Sequence, residues 1–229
     1  MRINHMGAIL ASAALAFGAA ACGGNDEEES ANGGAAAPEE QQQEQQQAQP
    51  EPVAQVDNLQ GQSTGVALDE GFVEALGTLG LTPAPVGDAN IENGSARFPI
   101  TGGNVTYFEP GTVEPYVQGR VDHEGSGLSL TSEDGKVVEL TDFVVDPGAS
   151  VLTGTVTVDG EEAAPSAPLF FLDGRTLEPL RTTEDGRAVL EGTTVKLKAE
   201  AADLLNETFG TDALQEGLVI GIAKITIET

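Results

Sequence analysis

Residues 128–145 read Leu-Ser-Leu-Thr-Ser-Glu-Asp-Gly-Lys-Val-Val-Glu-Leu-Thr-Asp-Phe-Val-Val, and this stretch decides the fold. Two runs rich in Val, Leu, Thr and Phe flank Asp134–Gly135. Asp-Gly tolerates the positive φ of a tight turn and is the strongest short-range hairpin signal. The dipeptide recurs at Asp159–Gly160, Asp173–Gly174 and Asp185–Gly186, each between similar runs. Val151–Val158 places Leu152, Val156 and Val158 on one side with period two. Ala167–Leu172 carries the pair Phe170 and Phe171 as core, and Val189–Leu197 reads as another strand. Leu218–Ile227, with Ile220, Ile222, Ile225 and Ile227, has the apolar character of a central strand. The expected fold is mainly β: an antiparallel sandwich or a barrel-like domain.

Two short helices interrupt this pattern. Leu68, Phe72, Leu76 and Leu79 recur at helical spacing, with Asp69 and Glu70 in the first turn and Gly80 as the stop. Ala201, Leu204, Leu205 and Phe209 do the same before Gly210. The two stretches align with one another: Val66–Leu68 with Val195–Leu197, Leu76 with Leu205, and Gly80 with Gly210 after one inserted residue. A strand–helix–strand unit used twice, or two arrivals at the same amphipathic pattern, accounts for the match.

Upstream the texture changes. From Gly23 to Asp57 there is no Lys or Arg, Glu40–Gln49 is almost all Gln, and Pro50 and Pro52 stiffen the exit. Such a stretch cannot bury enough apolar surface to offset its ordering entropy, so residues 22–57 are expected to form a disordered acidic tether. Ahead of it, Arg2 precedes an apolar run from Met6 to Ala21, too short for a comfortable bilayer span and ending in small residues. Residues 1–21 therefore read as a signal peptide. Cys22 follows Ala19, Ala20 and Ala21, close to a bacterial lipobox except that Ala19 stands where Leu is usual. The expectation is an exported protein, lipid-anchored to the cell membrane through Cys22 and facing the extracellular or periplasmic side. The β-rich domain would then occupy residues 58–229.

The composition excludes several functions. Cys22 is the single cysteine, so the domain has neither an internal disulfide nor a thiolate metal site. Lys and Arg number 10 against 37 Asp and Glu, a formal net charge of −27, which repels phosphate backbones and argues against a nucleic-acid partner. The acyl anchor is then the expected membrane contact, since anionic lipid would repel the rest.

Little in the sequence carries catalysis. Beyond His5 in the signal peptide, His123 is the one imidazole. No Gly-x-Ser-x-Gly elbow, zinc-ligand spacing, phosphate loop or calcium loop occurs, and without Trp there is no sugar platform. The expectation is a protein that is not an enzyme. Tyr107, in Val105-Thr-Tyr-Phe108, and Tyr116, in Glu114-Pro-Tyr-Val117, stand out because a phenolate can ligate ferric iron with a histidine in support. They read equally as rim tyrosines of a sheet.

Several segments resemble the HtaA-type, haem-transport-associated domains of actinobacterial cell-surface proteins. These are Phe98-Pro-Ile-Thr-Gly-Gly103, Gly119-Arg-Val-Asp-His-Glu-Gly-Ser-Gly-Leu128, Val137–Asp146 and Leu190–Leu197, with Leu205-Asn206 and Phe209-Gly210 further on. The likeness covers most of residues 66–229. It implies a β-rich surface domain, some of whose members bind haem through a tyrosine with a histidine nearby. His123, Gly125 and Leu128 resemble the family's His-x-Gly-x-Leu segment with one extra residue. The resemblance thus implies haem as cofactor, Tyr107 or Tyr116 as iron ligand, His123 in support, and no other metal. Phe98, Phe108 and Phe143 are expected to line the cleft. Haem or a haem-carrying protein would be the partner, for uptake or relay at the surface. The alternative is an envelope or adhesion module that presents an interaction surface and holds no haem.

Overall fold

The computed structural model describes residues 50–59 and 63–228. The expected signal peptide, the Cys22 anchor and the tether as far as residue 49 lie outside the described residues.

The domain is built almost entirely from antiparallel strands. The chain enters through β1 (Ala54–Val56) and β2 (Ser63–Leu68), turns into α1 (Glu70–Thr78), and continues through β3 (Thr82–Gly87), β4 (Asn90–Glu92), β5 (Ser95–Pro99) and β6 (Gly102–Tyr107). Four long strands follow: β7 (Val117–Thr131), β8 (Val137–Asp146), β9 (Val151–Val158) and β10 (Glu161–Asp173). A 3-10 turn at Gly174–Thr176 and the short β11 (Arg181–Thr182) lead to β12 (Ala188–Leu197), α2 (Ala199–Phe209) and β13 (Val219–Ile227). β1 takes in three residues that composition assigns to the tether. Backbone pairing with β6 recruits them, matching Ala54 to Tyr107 and Val56 to Val105, and side-chain pattern carries no sign of this.

The sheet runs β1-β6-β7-β8-β9-β10-β12-β13-β2-β5-β4 and curls into a half-barrel. The end of β5 comes up against β7, where Pro99 O lies 2.8 Å from the Nδ1 of His123. β7 organises this closure. Along one edge it pairs with β8 from Val121 to Thr131, with a register shift between His123 and Gly127. Along its other edge β6 takes the first half and β3 the second. The prolines of β3, Pro83 and Pro85, are tolerated because β3 pairs on one side only.

The turns show how far the Asp-Gly signal reaches. Asp159 and Gly160 form a two-residue turn between β9 and β10, with φ of 51° and 84°, as the I′ geometry requires. Between β7 and β8 the loop is longer, closed by Ser132 N–H to Lys136 O at 3.0 Å. At Asp173–Gly174 there is no hairpin. The Asp173 carboxylate accepts from Arg175 N–H and caps the 3-10 turn, because a short acidic side chain competes for nearby backbone donors.

Interior packing follows from strand alternation. Val121, Val138 and Val156 are fully buried, each side chain contributing about 1.5–3 kcal/mol relative to exposure. α1 starts at Asp69, whose carboxylate accepts from Gly71 and Phe72 N–H groups, worth about 1 kcal/mol, and buries Phe72 and Leu76. α2 buries Ala201, Ala202 and Leu205 and ends at Gly210 in the left-handed region, where a Cβ would be strained. The two similar stretches, β2–α1 and β12–α2, end up on either side of β13. The strands after their helices differ: β13 returns beside β12, whereas β3 crosses to β7.

Candidate functional site

The inward faces of the curled strands do not meet completely. They leave a cavity of about 440 Å³ walled mainly by Val, Leu, Ile and Phe side chains. That volume lies within the usual range of small-molecule sites, roughly 300–1,000 Å³. Its rim is made by the loop before β7, by Pro147 and Ser150 between β8 and β9, and by the 3-10 turn after β10.

His123 lines this cavity and is only 2% exposed. It stands on β7 where the register shift begins. Its Nδ1 lies 2.8 Å from Pro99 O, an atom that can only accept, so Nδ1 carries the proton. Nε2 is then an acceptor for the Thr64 hydroxyl at 3.2 Å. One imidazole thereby ties β7 to β5 and β2, three strands that meet where the sheet curls back. Burial pushes its pKa below the ordinary histidine value, outweighing the hydrogen bond to Pro99 and the charge of Asp122. It is a neutral imidazole in an apolar wall. Phe98 approaches it edge-on at 6.4 Å and meets Phe143 at 5.2 Å; both phenylalanines line the cavity.

The two tyrosines occupy different positions. Tyr116, on the loop between β6 and β7, lines the cavity. Tyr107, near the end of β6, is buried and stacks edge-on against Tyr116 at 5.8 Å and 90°, behind the wall rather than in it. Burial, Tyr107 and the charge of Glu114 together raise the Tyr116 phenol, so its hydroxyl keeps its proton at neutral pH. Of the residues singled out from sequence, Tyr116 and His123 share the cavity and Tyr107 backs Tyr116. Phe108 is half-buried outside the cavity lining, while its backbone N–H donates to Tyr116 O at 2.8 Å.

Sequence reasoning missed the partners. Thr64 carries no motif and Pro99 drew notice only as part of the Phe98–Gly103 segment, since only the curling of the sheet brings positions 64, 99 and 123 together. Asp173 and Arg175 at the rim were visible only as part of an Asp-Gly turn. Asp173 is 4% exposed, and hydrogen bonds from Arg175 and Lys196 hold its carboxyl well below the usual carboxylate range. Among the described residues no group of three or more His, Cys, Asp and Glu side chains is placed to hold a metal ion. No helix among them is long and apolar enough to cross a membrane.

No family model matches the chain, and no curated protein matches it. Among solved structures, it is similar to the C-terminal domain of HtaA from Corynebacterium glutamicum, with a TM-score of 0.52 and 12% identity over 74% of this chain and 97% of that one. A domain-swapped dimer of a histidine-to-alanine variant of the same domain matches with a TM-score of 0.46 and 12% identity, over 69% of this chain and 91% of that one. At this identity the likeness is one of fold. The resemblance read from the sequence thus holds at the level of architecture: the domain has the HtaA-type fold.

Proposed function

We propose that this HtaA-like fold uses its cavity to bind haem, in a protein anchored at the cell surface through Cys22 and serving haem uptake or relay. The observation that carries the reading is a single neutral imidazole, His123, lining a cavity whose walls are otherwise mainly apolar. A porphyrin needs apolar walls to cover its faces, and its iron needs a donor that is not already a cation. His123 supplies such a donor through Nε2, which is otherwise engaged only by the long hydrogen bond from Thr64. Tyr116 places its phenol at the rim, where ligation of ferric iron would require it to give up its proton, and Tyr107 fixes its ring from behind. The residues present therefore fit the group. When bound, haem would supply a redox-active iron, and the chain's part is to shield it, orient it and restrict access of water. Haem or a haem-carrying protein is the partner on this reading, and the acidic surface disfavours nucleic acid.

The test is a hemin titration of the purified protein followed by the Soret band, with Tyr107→Phe, Tyr116→Phe and His123→Gln variants alongside. A saturable shift near one equivalent is expected, retained in Tyr107→Phe and lost or displaced in the variant that removes the iron donor. No shift, or the same weak shift in all four proteins, leaves a haem-free interaction module as the function.

A further inference from the structure

A purely apolar ligand needs no charge at the mouth of its cavity, yet this cavity carries a constructed one. Asp173 ends β10 with its side chain buried, and a buried carboxylate is costly unless its lone pairs are filled. Here it accepts from Arg175 Nε at 2.8 Å, Arg175 Nη2 at 2.7 Å and Lys196 Nζ at 2.9 Å, besides the Arg175 backbone N–H at 3.2 Å. The Arg175 side chain is nonetheless 83% exposed. An ion pair with so exposed a partner adds little stability. Its consequence is positional: the guanidinium is pinned side-on at the rim instead of ranging through solvent. Two of its five donors are used on Asp173, and the outer edge of the fork remains open to water.

The rim has few other charges. Among the described residues lining the cavity, Arg175 is the one cation, and Asp173 and Glu114 are the acids. Lys196 lies behind Asp173 and balances it. On a chain with a formal net charge of −27, an anionic amphiphile is repelled almost everywhere, and Glu114 repels it from its own part of the rim. Arg175 is where such a molecule can place its head while its body fills the apolar interior.

We propose that Arg175, held by Asp173 and Lys196, receives the carboxylate of the cavity's ligand, so that the ligand class is an amphipathic acid with an apolar body. Charge-assisted bonds from a fixed fork to a carboxylate set the orientation in which the ligand enters. The inference rests on the reading of this cavity as a ligand site. Its chemistry is shared by a porphyrin bearing propionates and by a long-chain fatty acid, and the experiment separates the two.

The measurement is binding of hemin, of hemin dimethyl ester and of a fluorescent long-chain fatty acid to the protein and to its Arg175→Gln and Arg175→Lys variants. Far-UV circular dichroism and melting temperature confirm that the exposed substitution leaves the fold intact. Arg175→Gln should weaken the free acids about three- to tenfold, leave the diester unchanged, and be partly rescued by lysine. If the protein takes up only the fatty acid and Arg175→Gln weakens it, the haem reading fails while carboxylate reception stands. If hemin and its diester bind equally well and Arg175→Gln changes neither, carboxylate reception is overturned and the haem reading stands. Uptake of none of the three overturns both.

Discussion

At the scale of single residues, His123 carries the most consequence. It is the only buried imidazole among the described residues; its Nδ1 is held by Pro99 and its Nε2 accepts the longer hydrogen bond from Thr64. Replacing it with alanine leaves a void and two polar groups without their partner, and should cost about 2–4 kcal/mol of stability, measured by urea unfolding. Its titration gives a second expectation. Because burial lowers its pKa in the folded state, the unfolded chain takes up a proton first as the pH falls below about 6.5. The stability it contributes is thus present above that pH and lost as the pH falls towards its folded pKa. Asp173, also held low, loses its contribution only further down, below the usual carboxylate range near 4. The melting temperature should therefore drop between pH 7 and pH 5 in the wild type, with a shallower drop in His123→Gln. Parallel pH profiles for the two proteins would mean that His123 is not held neutral. His123, Tyr107 and Tyr116 were legible in the sequence because imidazoles and phenols are scarce here, and scarcity draws attention to chemistry. Thr64, Pro99 and Arg175 were not, since threonine, proline and arginine become informative only through what they face.

Among the elements, β7 does the most positioning, because its irregularity sets the site. At the register shift against β8 between His123 and Gly127, the other edge of β7 passes from β6 to β3. Gly127 is packed so tightly that a Cβ there would overlap the Leu140 carbonyl and the Thr141 side chain on β8. Gly127→Ala should accordingly force β7 and β8 apart, destabilise the domain by about 2–3 kcal/mol, and displace His123. Amide exchange is the check: protection should fall in β7 and β8 before it falls in α2. Uniform loss, or none, would show that the close approach is not a constraint. The elements themselves were largely readable. β9, β12 and β13 coincide with the runs read as strands to within a residue, and α2 falls on its apolar periodicity; α1 does so only from Phe72, because Leu68 ends β2 and Asp69 caps the helix. β1 and β3 escaped. The first is three residues long, and the second carries Pro83 and Pro85, which weaken any strand signal although an edge position accepts them.

For the whole molecule, the expectation concerns the cavity. A domain that leaves about 440 Å³ unfilled forgoes dispersion contacts along its walls, and a ligand that fills the space restores them. If hemin binds only the folded state, a hundredfold excess over its Kd should add about 2.7 kcal/mol, raising the melting temperature by roughly 5–10 °C for a domain of this size. A thermal shift that saturates with hemin, and that is smaller in His123→Gln, would support the proposed function. An unchanged melting temperature at saturating hemin would count against it. The division between sequence and structure follows from the range of the forces involved. The sequence by itself determined the β class, the helices, the acidic surface and the scarcity of catalytic groups, because periodicity, turn chemistry and net charge are local or additive properties of the chain. Only the tertiary structure decided that the sheet curls, that Tyr116 and His123 share a cavity while Tyr107 stands behind it, and that Arg175 is pinned at the rim. Those facts depend on register and curvature accumulated over many strands, and no single stretch of residues encodes them.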